Sequence, residues 1–153
     1  MIEIKKEWAF SIAGKLEIPY KYFAGTLQSK ALGILRDEGK FMAVKCPKCK
    51  TVKIPPRSHC EICFMKLEEL IEVGPQGKLV NWTVVRYKEP IHARKAPYIL
   101  GMILLDGADT PLTHFVGGVK PDKLQIGMRV KPVFEQTRRG SILDVRHFVP
   151  VKQ

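Results

Sequence analysis

Apolar residues recur at helical spacing in residues 1–40 and switch to strand-like alternation after Leu67. From Pro19, a suitable first helical position, Tyr20, Phe23, Leu27, Ala31 and Ile34 fall on one stripe, with Lys21, Gln28, Lys30 and Asp37 away from it. Gly39 reads as the stop. Ahead of Pro19, Trp8, Ile12 and Leu16 predict a shorter helix. Neither stripe can bury itself, so each must lie on the body of the domain or on a partner.

Beyond Leu67 the runs are cut by Gly, Pro and Asp. Leu67–Val73 is short and charged and ends at Gly74-Pro75. Gly77–Tyr87 alternates, with Val80, Trp82 and Val84 on one side and Asn81, Thr83 and Val85 on the other. Tyr98–Leu105 is almost continuously apolar, which predicts a strand covered on both faces. Asp106–Asp109 reads as a hairpin turn, and Pro111–Val116 as the returning strand, broken by Gly117-Gly118. Lys120–Ile126 reads as a loop or one helical turn. Met128–Gln136 and Ile142–Pro150 complete a set of five strands, joined by Thr137–Ser141. Five strands interrupted between the third and fourth predict a small Greek-key barrel of the OB-fold kind. Its customary ligand loops then fall at Lys88–Pro97, with Lys88, His92, Arg94 and Lys95, and at Thr137–Ser141, with Arg138 and Arg139.

Between the two patterns lie all four cysteines of the chain, as two Cys-x-x-Cys pairs: Cys46 and Cys49, then Cys60 and Cys63. A two-residue gap lets both sulfurs of a tight knuckle face one ion, and two knuckles supply the closed tetrahedral set that structural zinc prefers. Iron suits the same ligands. Disulfides are the competing use, but no cysteine remains to staple the rest of the chain. Phe41–Val44 leads into the first knuckle, Thr51–Ile54 reads as a short strand, and Pro55-Pro56 ends it. The expected organisation is therefore α+β: a helical segment over 1–40, a zinc ribbon over 41–66 and a barrel over 67–153.

Composition narrows the function classes. The chain has 153 residues, 45% hydrophobic, enough for a real core, and a formal net charge of +11. No apolar run is long enough to span a membrane, and the N-terminus lacks a signal peptide's apolar middle, so a cytoplasmic protein is expected. The positive charge is spread rather than blocked, and favours an anionic partner without naming it. Lys45, Lys48, Lys50, Lys53, Arg57 and Lys66 surround the cysteines, where they would offset a net-negative metal–thiolate cluster. An independent enzyme is not expected. Four thiolates leave no open metal position, His59, His92, His114 and His147 are isolated, and no glycine-rich phosphate loop is present. Single-stranded nucleic acid is the rival partner; its stacking platforms would be Tyr87, Tyr98 and Phe134.

The spacing Cys46-x-x-Cys49 followed by Pro55-Pro56-Arg57-x-x-Cys60-x-x-Cys63, between a helical segment and an OB-fold pattern, resembles the acyl-CoA-associated OB-fold family with its rubredoxin-like zinc ribbon. Members of that family accompany thiolase-like or HMG-CoA synthase-like condensing enzymes. The resemblance implies a non-catalytic scaffold that binds such an enzyme and helps hold the CoA thioester. It assigns Cys46, Cys49, Cys60 and Cys63 to the metal. The phosphates of CoA or acyl-CoA would then fall to some of Lys88, Arg94, Lys95, Arg138 and Arg139. Two departures stand out: Lys50 and Phe64 occupy knuckle positions where glycine is frequent, and Glu61 stands where proline is frequent.

Overall fold

Helix α1 (Thr26–Glu38) begins later than the stripe from Pro19 predicts, because Lys21–Gly25 is non-helical and Gly25 takes φ 91°. The computed structural model describes residues 21–88 and 94–151, together with Gly14; Pro19, Tyr20 and the stripe Trp8, Ile12, Leu16 lie outside them, as does His92. Ala31 and Leu35 are the buried residues of α1, and Leu32 packs beside them, so the buried face is turned slightly from the expected one. Gly39 ends the helix as expected. Its φ of 72° is left-handed, and its N–H donates to Leu35 O at 3.1 Å. A Cβ there would lie 3.0 Å from Arg138 Nη1, so a side chain would also press on the end of that guanidinium.

The chain next forms an antiparallel sheet of β1 (Phe41–Lys45), β2 (Val52–Lys53) and β3 (Leu70–Val73), in the order β2-β1-β3. The pairing sets Leu70–Val73 beside a ribbon strand, on the other side of the division placed at residue 66. The remaining strands are β4 (Gly77–Val85), β5 (Tyr98–Leu105), β6 (Leu112–Val116), β7 (Arg129–Phe134) and β8 (Val145–Pro150). They close a barrel in the order β4-β5-β6-β8-β7, with β6 and β8 parallel and every other pair antiparallel. That order is the OB-fold connection expected from five strands with a break after the third.

Three strand readings change in detail. A bulge between Leu79 and Asn81 shifts the alternation of β4, so Leu79 points inward and Trp82 and Val84 also pack on the core. Strand β5 is not covered on both faces: Ile99, Gly101, Ile103 and Leu105 point in, while Met102 is exposed. Gly101 is an interior position with no room for a side chain, since a Cβ would fall 2.6 Å from Val116 and 2.7 Å from Leu79. The last strand starts at Val145, because Ile142–Asp144 form a 3-10 turn instead. Of the loop or helical turn expected over Lys120–Ile126, the structure forms one 3-10 turn at Pro121–Lys123.

One core joins these parts. Leu35 of α1, Phe41, Ala43 and Val52 of the ribbon sheet, and Leu79, Ile103 and Phe148 of the barrel belong to a single buried cluster. Phe41 lies between Phe134 and Phe148, with ring centroids 6.2 and 6.0 Å away. The turn after β5 fastens the ribbon from outside that core. Val52 N–H donates to Asp109 Oδ2 at 2.7 Å, and the Thr110 hydroxyl accepts from Ile54 N–H and donates to Ile54 O. Among the described residues no helix is long and apolar enough to cross a membrane.

Candidate metal centre

Each Cys-x-x-Cys pair folds into the same knuckle. Cys46 N–H donates to Thr51 O and Lys50 N–H to Cys46 O, at 2.9 and 3.0 Å. In the second, Cys60 N–H donates to Met65 O and Phe64 N–H to Cys60 O, both at 2.9 Å. The turn can close only through a left-handed residue, and the chain places Lys50 (φ 63°) and Phe64 (φ 56°) there. These are the two positions where the sequence departs from glycine.

The knuckles bring all four Sγ atoms within 4.8 Å of one another. Cys46 and Cys63 are 3.4 Å apart, and Cys49 and Cys60 3.6 Å. Four sulfurs around one zinc, each at ~2.3 Å, would be separated by about 3.8 Å, whereas a disulfide needs about 2.05 Å. Separations of 3.4 and 3.6 Å fit an ion and not a bridge. Cys46 and Cys60 are fully buried, and Val44 and Leu67 enclose them in a small separate cluster with Leu27 and Leu70 at its edge.

Electrostatics agree with the donor set. The Thr51 hydroxyl, 3.0 Å from Cys49 Sγ, and then the Thr51 amide draw the Cys49 thiol down to about 6. The amides of Cys63 and Ile62 lower the Cys60 thiol. At Cys63 the Met65 amide also acts downward, but burial and the other three sulfurs prevail and push the thiol up to about 11. Crowded sulfurs cannot all ionise unaided, and a divalent cation among them removes the conflict.

Of the six cations that surround the cysteines in sequence, one turns inward. Lys53 is 3% exposed and its ammonium donates to Glu61 Oε1 at 2.7 Å; Arg57 reaches the other oxygen of that carboxylate at 3.5 Å. The Glu61 bond and the nearby Cys60 and Cys49 sulfurs raise the Lys53 pKa despite burial. Glu61, conspicuous in the sequence only as a non-proline, is thus the partner of a buried lysine. Alternation did not single out Lys53, since both residues of β2 are buried between neighbouring layers.

The five basic residues at the expected ligand loops are not gathered into one site. Arg138 donates from Nη1 to Leu35 O at 3.1 Å and from Nη2 to Asp37 O at 3.4 Å, so it neutralises the carbonyl end of α1, and its guanidinium faces Phe134. Arg94 donates to Arg146 O and lies 4.4 Å over the Phe115 ring. Lys88, Lys95 and Arg139 are exposed. The loop carrying Arg138 and Arg139 is shaped by Asp144, whose buried carboxylate accepts from Arg139, Gly140 and Ser141 N–H at 2.9, 2.7 and 3.2 Å. The stacking row required by single-stranded nucleic acid is also not assembled. Phe134 packs on the core, Tyr98 meets Phe115 edge-on, and Arg94 covers the Phe115 face, which leaves Tyr87 as the exposed ring. His59 is exposed beside Ser58, while His114 is buried and hydrogen-bonded to Ile142 O at 3.0 Å.

Comparison with known proteins agrees with this geometry. Residues 35–65 match the rubredoxin-like zinc ribbon domain of ChsH2, and residues 70–135 match its C-terminal OB-fold domain. A DUF35 domain-containing scaffold protein of Methanocaldococcus jannaschii is 32% identical over 98 residues, 63% of this chain and 69% of that one. A scaffold protein of the same description from Pyrococcus furiosus is 27% identical over 76% of this chain and 87% of its own. A protein of Thermomonospora curvata named "Probable enoyl-CoA hydratase alpha subunit" is 30% identical over 56% of this chain, which spans only 26% of that longer relative. Among solved structures, the "Ltp2-ChsH2(DUF35) aldolase" superposes with a TM-score of 0.63 over 84% of this chain and 98% of the matched one, at 23% identity. A DUF35-family structure from Sulfolobus solfataricus gives 0.57 over 71% and 78%, at 22% identity. The structural likenesses concern the fold.

Proposed function

The chain belongs to the ChsH2-type DUF35 family of zinc-ribbon and OB-fold proteins, and from that premise we propose that it is a non-catalytic accessory subunit of an acyl-CoA enzyme. Its partner is a condensing enzyme of the thiolase or HMG-CoA synthase type, and it helps hold the CoA thioester between them. The scaffold names of two relatives, and the enoyl-CoA hydratase subunit named in a third, support an enzyme partner of acyl-CoA chemistry. One zinc ion on Cys46, Cys49, Cys60 and Cys63 has a structural role, since four thiolates leave no position for water or substrate. Paired cysteines used as metal ligands suit a reducing, cytosolic compartment, which is part of this reading. In this reading the units are a helical segment over 1–40, a ribbon over 41–66 and a barrel domain over 67–153, with β3 paired to β1 of the ribbon sheet and not to the barrel.

One observation carries this reading. The second knuckle closes around the metal position on its inner side and presents Ile62, Phe64 and Met65 to solvent on its outer side, with Phe64 80% exposed. A left-handed phenylalanine held out from a metal-fixed turn does nothing for the core, and a rigid apolar knob is what a docking surface requires. The phosphates of CoA would be met by Lys88, Lys95 and Arg139, which are exposed, with Arg94 and Arg138 bracing the loops that carry them.

The test is co-purification of the tagged chain from its own cells. A condensing enzyme in stoichiometric yield, lost when Ile62 and Phe64 are replaced by alanine while metal content is kept, is the expected result. Recovery of RNA with steep salt dependence in place of an enzyme would overturn it.

A further inference from the structure

Beside the metal centre, where α1, the ribbon and the barrel meet, a cleft of about 470 Å³ opens. Ala31, Leu32 and Leu35 line it from the helix, and Pro55, Pro56 and Pro111 from the ribbon and the entry to β6. Prolines carry no N–H, and the hydroxyl of Thr110, which also lines the cleft, is used by both backbone groups of Ile54. This part of the lining therefore has little to give a peptide backbone or a base edge, and costs a hydrocarbon chain nothing. Charge lies at two places instead: Lys40, paired with Glu38 and Glu72, and the group of Lys53, Arg57 and Glu61. The Glu61 carboxylate is held at 2.7 Å by the buried Lys53, which also faces the Cys60 and Cys49 sulfurs, and at 3.5 Å by the exposed Arg57, so Arg57 is the less firmly paired cation beside the apolar walls. Gln28 and Thr113 add an amide and a hydroxyl within reach of an occupant. The volume lies in the range of small-molecule sites, and an apolar cavity with few convergent polar groups at a junction of structural layers is where such sites form.

We infer that this cleft binds an unbranched acyl chain with its carbonyl or carboxylate head directed to the Lys53–Arg57–Glu61 group. The Pro-Pro-Arg element is then a wall of the site as well as the approach to the second knuckle. The loops of Lys88 and Arg139 are not part of it. Two sources supply that chemistry, a free carboxylate and a CoA thioester; only the second rests on the accessory-subunit reading.

The experiment is calorimetric titration of the full-length, metal-replete chain with octanoate, octanoyl-CoA, their six-carbon counterparts and CoA. Binding of at least one eight-carbon probe is expected, with the six-carbon analogue about tenfold or more weaker, as for two methylenes moved out of an apolar slot. Ala31→Phe fills the cleft from the helix and should weaken acyl binding about tenfold or more. Thr113→Trp, at an exposed strand position, should do the same and carries the test if the helix variant does not fold. Binding of octanoate places the site on the acyl chain itself, and binding of octanoyl-CoA alone places it on the thioester. Absence of both, or affinities indifferent to chain length and to both variants, overturns the inference. A condensing enzyme that co-purifies without any acyl binding by the chain would sink the cleft and leave the accessory reading standing; acyl binding with no such partner would do the reverse.

Discussion

Replacing Cys49 with serine tests whether the ribbon is held by an ion or by its own packing. Among the described residues, only Val44 and Leu67 are fully enclosed apolar side chains beside the buried cysteines, and burying them contributes ~2–3 kcal/mol each. Structural zinc contributes ~10–16 kcal/mol at neutral pH, so the ion outweighs them by about two- to fourfold. If each sulfur carries about a quarter of that, removing one costs ~3–4 kcal/mol, a loss of metal affinity of about two to three orders of magnitude. The two left-handed residues, Lys50 and Phe64, would then have nothing to hold them in place. Metal content by mass spectrometry and amide hydrogen exchange read the two consequences separately. The amides of Cys46, Lys50, Cys60 and Phe64, all bonded within the knuckles, should lose protection. Those of Leu79 and Asp106, bonded within or against the barrel, should keep it. A variant with full metal and unchanged knuckle protection would refute the reasoning.

Other outcomes follow from single contacts. Arg138→Ala removes two hydrogen bonds to the carbonyl end of α1 and should cost ~1–2 kcal/mol in urea unfolding, with exchange rising first at the C-terminal turn of the helix. Glu61→Gln removes the carboxylate bonded to the buried Lys53 ammonium and leaves it only the Cys60 and Cys49 sulfurs; a lower urea midpoint is expected, and Lys53→Met in the same background should recover part of it. Asp144 has its pKa lowered in the fold: burial opposes this, but the Arg139, Gly140 and Ser141 amides and the Arg138 charge prevail. Its contribution is therefore fully present above the unfolded value of about 4 and is lost as pH falls through the lower folded value. Asp144→Asn should reduce stability at neutral pH and flatten the acid limb of the stability–pH curve; an unchanged limb would remove Asp144 from the account.

The sequence carried the four-cysteine cluster and the barrel order because both are written locally. Cys-x-x-Cys spacing needs only one turn of backbone, and strand boundaries fall at Gly74-Pro75, Asp106-Gly107 and Gly117-Gly118. What it could not carry is what depends on distant partners. Arg138 reads as a free loop cation and is spent on a helix a hundred residues earlier. Lys53 reads as a surface lysine on a short strand, and only the fold brings Glu61 to it. The β4 bulge inverts a clean alternation without leaving a glycine or proline to announce it. The start of α1 was misplaced for a related reason. Phe23 has helical spacing but no surface to lie on among the described residues, where it is 77% exposed, and Gly25 interrupts the run.

X-ray absorption at the zinc edge, on protein made under zinc-replete and reducing conditions, asks the central question directly. One zinc per chain with four sulfur neighbours at ~2.3 Å is the predicted spectrum. A shell containing nitrogen or oxygen, or well under one metal per chain, would contradict it.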